Sequence, residues 1–500
     1  MKSLYYFLSI ILLTHSQVSS LASESVVSKS GDAKIRVEIG GTVDFQGVNS
    51  AQSADYNNST LPNNPNSNSP AFSTINTLNN NDTIRANGLI QINAIGESGD
   101  GKNKYGATVI TNTASSPNDE DAGLFSNQQY IFWNHIGGRF EAGSTLGASG
   151  RMRLDASKIS RATGGIDGMY YYYINAPTFN TTNFSSADAN LLVNSYNPVF
   201  ILRPGLPNEQ GMTTNVFLNN SDYDSTGNIV SNRNIQSKAR WGAYSNKISY
   251  YTPKMNGFQF GVSYSPDTGN SGTLTSYQSN STTNYQGQYN RINGLTGGSS
   301  GDMVNLISAG ATYQKKIKDL VLKFGFAYEN AKYEQFYANR TTASGVVANR
   351  VNSPYNDRHN LSAWGAGVQL DYKIFSLSYS YSDWGSSLAF KQSPQTDGIF
   401  SSKKSYYHTA GFALNYGVVN FSTTYLYSNF LGNHAEVLSF GSDFRIAGLN
   451  KYGLIPYFEY NIYSLKPSSS YFRNTAGNVN QVSAIKNIGE VFILGIKVIF

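Results

Sequence analysis

The sequence contains no cysteine, so disulfide bonds and cysteine-ligated metal sites are excluded. Charged residues make up only 14% of the 500 residues, whereas about a quarter is usual for soluble domains. Proline is sparse, and after the N-terminal segment no apolar run reaches the roughly 18 residues that a transmembrane helix needs. These absences argue against both a soluble multidomain protein and a helical membrane protein.

Tyrosine (36) and glycine (47) are abundant, and the mean hydropathy is −0.35. A polar average with few charges and many aromatic residues is typical of a chain whose apolar side chains face lipid and whose polar side chains face water. The net charge of +6 is not concentrated in a basic run, since the densest cluster, Tyr313–Asp319, is expected at a solvated turn. We therefore expect no nucleic-acid partner, and no motif predicts a cofactor or a metal site.

The N-terminal stretch MKSLYYFLSIILLTHSQVSSLA has the pattern of a secretory signal peptide. Lys2 supplies the positive charge, Leu4 to Leu13 supply the apolar region, and Ser20-Leu21-Ala22 is a small-x-small cleavage site. The apolar region is too short to span a membrane comfortably. The sequence predicts that residues 1–22 are removed on export and that residues 23–500 form the mature chain.

Strict alternation of apolar and polar residues recurs along the mature chain and predicts amphipathic strands. In SNKISYYTPKMNGFQFGVSYSPD, the alternating apolar residues of the second half are Phe258, Phe260, Val262 and Tyr264, and Pro253–Gly257 supplies the turn of a hairpin. Similar patterns occur in KIRVEIGGTVDFQG, FSLSYSYS and VVNFSTTYLYS. Such strands joined by turns predict an antiparallel meander.

The connections alternate between short and mostly long segments. The short ones are predicted at Ser98–Asn103, Gly137-Gly138, Pro253–Gly257, Lys315–Asp319, Lys373, Gly417 and Gly448–Lys451. The others are predicted at about 49–81, 114–127, 146–238, 267–302, 333–359, 385–404, 431–434 and 464–485. These fifteen connections predict about sixteen strands in an all-β, transmembrane antiparallel β-barrel, with short periplasmic turns and long extracellular loops. A soluble β-sandwich is the alternative, but the aromatic residues near strand ends favour lipid.

The C-terminal stretch VFILGIKVIF resembles the signature by which Gram-negative outer-membrane proteins are recognised for assembly. Its alternating residues are Phe492, Leu494, Ile496, Val498 and Phe500. The hairpin with Tyr251-Thr252-Pro253 and Gly257-Phe258-Gln259-Phe260-Gly261-Val262-Ser263-Tyr264 resembles one of the general bacterial porins.

This resemblance implies a homotrimer of sixteen-stranded barrels in the outer membrane, in contact with lipid and with the assembly machinery. Each barrel would be a water-filled pore for ions and small hydrophilic solutes. In such porins the third loop folds inward and narrows the pore. Here the matching loop is 146–238, longer than usual, so we expect part of it to form a surface cap or an extra hairpin. Its first section is more basic than acidic, and its charged residues are Arg151, Arg153, Lys158 and Arg161 with Asp155 and Asp167.

Alternation also predicts charged residues on the inward strand faces. The basic ones are Arg36, Arg85, Arg139, Lys247 and Lys323, and the acidic ones are Glu38, Asp44, Glu141 and Asp371. A charge facing hydrocarbon near the bilayer centre would cost about 2–4 kcal/mol, so inward charges imply a wet interior. Charged rings at a constriction filter ions, and we expect a weak anion preference.

Three other functions are alternatives to a general diffusion pore. Against a barrel enzyme, the histidines outside the signal peptide (His135, His359, His408 and His434) belong to no catalytic or metal motif. A surface adhesin would use the long Asn/Ser-rich loops as its binding surface. A sugar-specific channel would need an aromatic track, for which MYYYYIN at Met169–Asn175 is the candidate, although packing of the loop on the barrel wall is the more plausible role.

Overall fold

The computed structural model describes the β-strands, their short turns and part of the long connection after residue 144. The described residues are 24–30, 33–52, 82–114, 123–160, 170, 173, 219–223, 229–234, 245–267, 302–334, 359–387, 391, 404–430, 433–444, 453–466, 470–473, 479–482 and 487–500. Of the residues expected at the site, Arg161 and Asp167 lie outside this part of the chain, as does the predicted signal peptide.

The described chain is almost entirely β-structure. The strands are β1 (Glu24–Ser30), β2 (Ala33–Gln52), β3 (Asp82–Glu97), β4 (Lys104–Ala114), β5 (Gly123–His135), β6 (Gly138–Ser144), β7 (Asn219–Tyr223), β8 (Ile229–Asn234), β9 (Asn246–Tyr251), β10 (Phe258–Asp267), β11 (Asp302–Ile317), β12 (Leu320–Glu334), β13 (Leu361–Tyr372), β14 (Phe375–Gly385), β15 (Ser405–Tyr416), β16 (Val419–Phe430), β17 (Asn433–Phe444), β18 (Gly453–Lys466), β19 (Ser470–Arg473), β20 (Val479–Val482) and β21 (Asn487–Ile499). A short helix, α1 (Ala148–Met152), and a 3-10 turn, Ala156–Lys158, follow β6. Among the described residues, no helix has the length and apolar character needed to cross a bilayer.

Sixteen strands close into a barrel. Each pairs antiparallel with its neighbours in the order β2–β6, β9–β18 and β21, and β21 pairs back onto β2. At this closure the Gly41 N–H donates to the Phe500 carbonyl at 2.8 Å, and the Phe500 N–H donates to the Gly41 carbonyl at 3.1 Å. The predicted sixteen-stranded antiparallel barrel is confirmed.

Three further elements are present, of which only the β7–β8 hairpin agrees with an expectation from the sequence, that of an extra hairpin in the long third loop. Strand β1 forms a hairpin with β2, with Glu24 opposite Ile39 and Ser30 opposite Ala33. Two small hairpins, β7–β8 and β19–β20, form separate two-stranded sheets within long connections. Their sequences have no run of alternating apolar residues, which explains why the pattern did not reveal them.

The alternation separates an outward apolar face from an inward polar face. On β10, Phe258, Phe260 and Val262 are exposed on the outside, whereas Ser263 and Ser265 are buried inside. Strand β14 repeats the pattern with exposed Leu377 and Tyr379. Because a barrel has no second sheet to cover its apolar surface, these side chains are suited to contact lipid.

The short turns lie at one end of the barrel, and two predicted positions were wrong. The turn after β11 is only Lys318-Asp319, because Lys315, Lys316 and Ile317 stay paired with β12. Lys318 has a positive φ of 53°, the left-handed geometry of a tight turn. Gly138 belongs to β6 and pairs with His135, so that turn is Ile136-Gly137, one residue earlier than predicted.

The longer connections lie at the other end. The longest joins β6, which ends at Ser144, to β9, which begins at Asn246. The sequence predicts that this connection ends near residue 238, whereas β9 starts about seven residues later than that end implies, at Asn246. This connection, residues 145–245, is called the third loop below.

Candidate functional site

The first described part of the third loop, residues 148–159, runs along the inside of the barrel wall and is called the inner segment. Its Ala148 N–H donates to Ser263 Oγ at 2.9 Å, and its Ser149 N–H donates to Ser308 Oγ at 2.9 Å. Further along, the Ala156 N–H donates to Thr409 Oγ1 at 3.2 Å. These three acceptors lie on the inward faces of β10, β11 and β15, so the segment follows the inner surface over several strands.

Inward-facing glycines allow this close approach. The glycine track consists of Gly261, Gly310, Gly325, Gly367 and Gly411, on β10, β11, β12, β13 and β15. A Cβ atom added at any of them would meet the inner segment, at Met152, Ala148, Leu154, Ala156 or Ile159. The wall is therefore shaped to accept backbone and side chains of this segment.

Buried polar groups also hold the inner segment. The Ser149 hydroxyl donates to the buried Glu329 carboxylate on β12, and it accepts from Ser308 Oγ at 2.7 Å. Asp155 caps the 3-10 turn by accepting from the Ser157 N–H at 2.8 Å. The Arg153 guanidinium lies 2.8 Å from Asp155 Oδ2, and both side chains are buried. The segment thus carries its own charge compensation.

Lys247 joins the two ends of the third loop. Its ammonium donates to the Thr145 carbonyl at 2.5 Å and to the Ser245 carbonyl at 2.7 Å. Thr145 directly follows β6, and Ser245 directly precedes β9. The sequence predicts Lys247 as an inward-facing solvated charge, but its side chain is buried and binds both ends of the loop.

Arg139, Glu141 and Arg151 form one ionic cluster on the inner wall. Glu141, on β6, accepts from Arg139 Nε at 2.6 Å and lies 2.8 Å from Arg151 Nη2 on α1. Burial opposes the charged form of Arg151, yet the adjacent Tyr251 and Glu141 hold its pKa above the ordinary value. Two guanidinium groups therefore share one carboxylate.

The other predicted charges are spread around the wall. Arg36 pairs with Glu38 at 2.6 Å on β2, and Lys323 on β12 pairs with Asp371 on β13 at 2.9 Å. Arg85 Nε donates to Asn87 Oδ1 at 2.9 Å on β3. Lys158 is an exposed residue of the inner segment.

Two tyrosines of the third loop pack on the opposite part of the wall. Tyr170 and Tyr173 are buried in a cluster of inward-facing apolar residues from β2, β15–β18 and β21: Val48, Tyr407, Leu426, Ala435, Val437, Tyr457, Tyr463, Leu465, Val491 and Ile493. The Tyr173 hydroxyl donates to Gln46 Oε1 at 2.5 Å, and burial raises the pKa of Tyr173 to about 12. These two tyrosines serve packing, since their rings are covered and cannot stack on a sugar; Tyr171 and Tyr172 lie outside the described residues.

Sequence reasoning missed several residues of this arrangement. Glu329 was not identified, although it lies on the inward face of β12 and accepts from Ser149. Gln46 and Tyr457 were also missed; the Gln46 amide donates to the Tyr457 hydroxyl at 2.7 Å, and that hydroxyl donates to Asp44 at 2.8 Å. Strand parity could have placed Glu329 inward, but no sequence signal connects it to Ser149. Within the described residues, no group of three or more His, Asp or Glu side chains is arranged to hold a metal ion.

The predicted assembly-signal residues occupy the closing strand, and the outward-facing, exposed ones are Phe492, Ile496 and Val498. Leu494 and Phe500 are partly exposed. Their strand, β21, pairs with β2, with Phe492 opposite Asn49 and Val498 opposite Val43.

The chain is similar to one protein family and to several known proteins. A family model described as "Gram-negative porin" matches residues 18–448. An uncharacterized protein of Rickettsia typhi is 25% identical over 399 residues, covering 75% of this chain and 76% of that protein, and an uncharacterized protein of Rickettsia felis is 26% identical over 395 residues, with the same coverage of 75% and 76%. Among similar solved structures, an anion-selective porin from Comamonas acidovorans is 12% identical, with 94% of this chain and 100% of that chain covered and a TM-score of 0.44. The outer membrane channel DcaP of Acinetobacter baumannii is also 12% identical, with 92% of this chain and 97% of that chain covered and a TM-score of 0.42. With the family match spanning most of the sequence, the chain belongs to the Gram-negative porin family.

Proposed function

We propose that this outer-membrane porin is a passive diffusion channel for ions and small hydrophilic solutes, and that the inner segment of its third loop narrows the channel. A porin works by offering a wet path of limited width, so it needs no catalytic group. The chemistry of its inner wall and the placement of the inner segment support this proposal.

The observation that carries the proposal is the attachment of the inner segment to the inward faces of β10, β11 and β15. Three backbone N–H groups of the segment donate to side-chain hydroxyls there, at 2.9–3.2 Å. A segment fixed in this way takes up part of the interior and reduces the cross-section open to solutes. Its position inside the barrel is the reason to assign the constriction to it.

The polar wall favours a water-filled interior. Asn93 on β3 accepts from Gln91 Nε2 at 3.0 Å and from Thr108 Oγ1 at 2.9 Å, which gives the wall beside β3 and β4 an amide and hydroxyl surface. Barrels of about sixteen strands are wide enough to keep an aqueous channel, whereas about eight strands are filled by side chains. The pairs Arg36–Glu38 and Lys323–Asp371 remain partly exposed, as expected beside water.

The proposal includes a homotrimer, contact with outer-membrane lipid and recognition by the assembly machinery. We choose the outward face of β3, with the aliphatic Ile84, Ile90 and Ile92, as the candidate surface for the contact between subunits. The outward faces of β10 and β14 are instead rich in Phe and Tyr, as at lipid interfaces. Because the chain has no native cysteine, Ile92→Cys tests this contact by oxidative cross-linking, with outward-facing Val262→Cys as the control.

The direct test is single-channel conductance of the purified, folded protein in a planar bilayer. Stable conductance steps, grouped in threes for a trimer, are the expected result. A folded barrel without conductance contradicts the channel proposal and favours an adhesin that binds through its long loops. Deleting residues 148–159 should increase the step size if this segment forms the constriction, whereas an unchanged step size would remove that assignment.

A further inference from the structure

We propose that the channel selects small inorganic and organic anions, and that Arg139 and Arg151 are its selectivity-determining residues. This inference rests on the proposed channel function. It follows from a difference in exposure between the two partners of the ion pairs inside the barrel.

At two places on the inner wall, the cations are more exposed than their carboxylate partners. The Glu141 side chain has no exposed area, whereas its partners Arg139 and Arg151 are 31% and 27% exposed. The Arg36–Glu38 pair follows the same order, with 51% against 23%. An ion in the interior therefore meets guanidinium groups before it meets carboxylates.

This difference is not simply the result of long basic side chains. Two ion pairs outside the interior serve as an internal comparison: Lys373–Asp319 at the short turns and Lys466–Glu436 at the long-loop end. Their partners are nearly equally exposed, at 59% and 63%, and at 49% and 43%. Unequal exposure is thus a property of the Arg36–Glu38 pair and the Arg139–Glu141–Arg151 cluster. Two other pairs on inward strand faces, Lys323–Asp371 (26% and 25%) and Lys104–Glu97 at the strand ends (52% and 47%), do not contribute to the effect.

The Arg139–Glu141–Arg151 cluster adds a surplus of positive charge. One carboxylate is shared between two guanidinium groups, so the cluster carries a net charge of about +1, given that arginine stays protonated. Aromatic rings fix both groups, since Arg139 Cζ lies 4.4 Å from the centre of the Phe132 ring and Arg151 Cζ lies 5.5 Å from that of Tyr251. A fixed cationic surface beside low-dielectric walls concentrates anions and repels cations.

The test measures the reversal potential of the conducting channel in a KCl gradient, since K⁺ and Cl⁻ have similar mobilities in water. We expect a reversal potential with the sign of net chloride permeation, and we expect it to decrease at high salt. Screening is the reason, because the Debye length falls from about 10 Å at 0.1 M to about 3 Å at 1 M. Gradients of the potassium salts of small carboxylates should give a reversal potential of the same sign.

Charge-removing variants test the assignment to the two arginines. Arg139→Gln and Arg151→Gln should each move the reversal potential toward zero, whereas Glu141→Gln should move it further toward the chloride value. Lys373→Gln removes one positive charge at an exposed turn outside the interior and is the matched control, for which we expect no shift. If Glu141→Gln fails to fold, the two arginine variants still decide the question, because each leaves Glu141 one cationic partner.

The outcomes separate this inference from the channel proposal. A conducting wild type with zero or cation-favouring reversal potential overturns anion selection and leaves the channel intact. Equal shifts for Arg151→Gln and Lys373→Gln overturn the assignment to the cluster. Absence of conductance from a folded barrel overturns the channel proposal itself.

Discussion

The hydroxyl of Tyr173 donates a 2.5 Å hydrogen bond to Gln46, 127 residues earlier in the chain. Gln46 lies on the inward face of β2, so this bond ties the third loop to the strand at which the barrel closes. The same Gln46 amide donates to Asp44 at 3.0 Å and to the Tyr457 hydroxyl at 2.7 Å. The third loop is therefore attached to two distant parts of the wall: β10–β15 through the inner segment, and β2 through Tyr173.

Tyr173→Phe should loosen the second attachment without leaving a cavity. The loss of one hydrogen bond to a buried amide should cost about 1 kcal/mol. We expect a lower unfolding temperature, measured by the heat-dependent gel shift of the folded barrel, together with noisier single-channel currents. The control is Tyr416→Phe, at an outward residue that is 70% exposed, and it should behave as wild type. Equal effects in both variants would contradict a role of the Tyr173–Gln46 hydrogen bond in attaching the third loop to β2.

Gly367→Ala should displace the inner segment. The added methyl group would collide with the Leu154 carbonyl, so the segment must move away from the wall. We expect a changed conductance, or a loss of folded protein if the segment cannot move. The control is Gly99→Ala in the turn between β3 and β4, where a Cβ atom would have nothing within 4 Å. Wild-type conductance and stability in Gly367→Ala would contradict the close fit of the glycine track.

Lys247→Met should weaken the base of the third loop. Two backbone carbonyls, Thr145 and Ser245, would lose the ammonium that binds both. Hydrogen bonds to charged groups contribute about 1.5–3 kcal/mol each, although methionine recovers part of this by burial of its side chain. We expect a lower free energy of unfolding in urea. Lys254→Met, at an exposed turn residue, is the charge-matched control and should unfold like wild type.

A lysine on the outward face should destabilise the barrel more than one on the inward face. Val262 lies near the middle of β10 and is exposed on the outside, so Val262→Lys should cost about 2–4 kcal/mol in a bilayer. Gln91→Lys, on the inward face of β3, should change unfolding in lipid vesicles by less than 1 kcal/mol, a rough allowance for solvated sites. A larger cost for Gln91→Lys would indicate that the two faces are assigned the wrong way round.

Most of the barrel could be predicted because alternation is a local signal. Phe258, Phe260 and Val262 face outward as their spacing indicates, since residues two apart in a strand share a face. By the same spacing, Arg139 and Glu141 lie on the face of β6 opposite to the exposed Phe140. Turn positions were less accurate near Lys315, because lysines continue a paired strand as readily as they begin a turn.

The attachment of the third loop could not be predicted, because its partners are distant in sequence and ordinary in type. Ser263 and Ser308 are simply polar positions of amphipathic strands until Ala148 and Ser149 bind them. Gly367 likewise gives no signal of its own, since glycine occurs throughout this chain. Burial of Lys247 depends on the meeting of two chain segments, which no periodicity encodes.

The two hydrogen bonds of the Lys247 ammonium bear on how the length of the third loop can vary. Since Thr145 and Ser245 are held by the same ammonium, the third loop leaves and re-enters the wall at nearly one point. Loop-closure entropy grows only slowly with length, so residues inserted or removed between Tyr173 and Ser245 should change the stability of the strands on either side very little. The length of the third loop can thus change while the pairing of β6 with β9 stays the same.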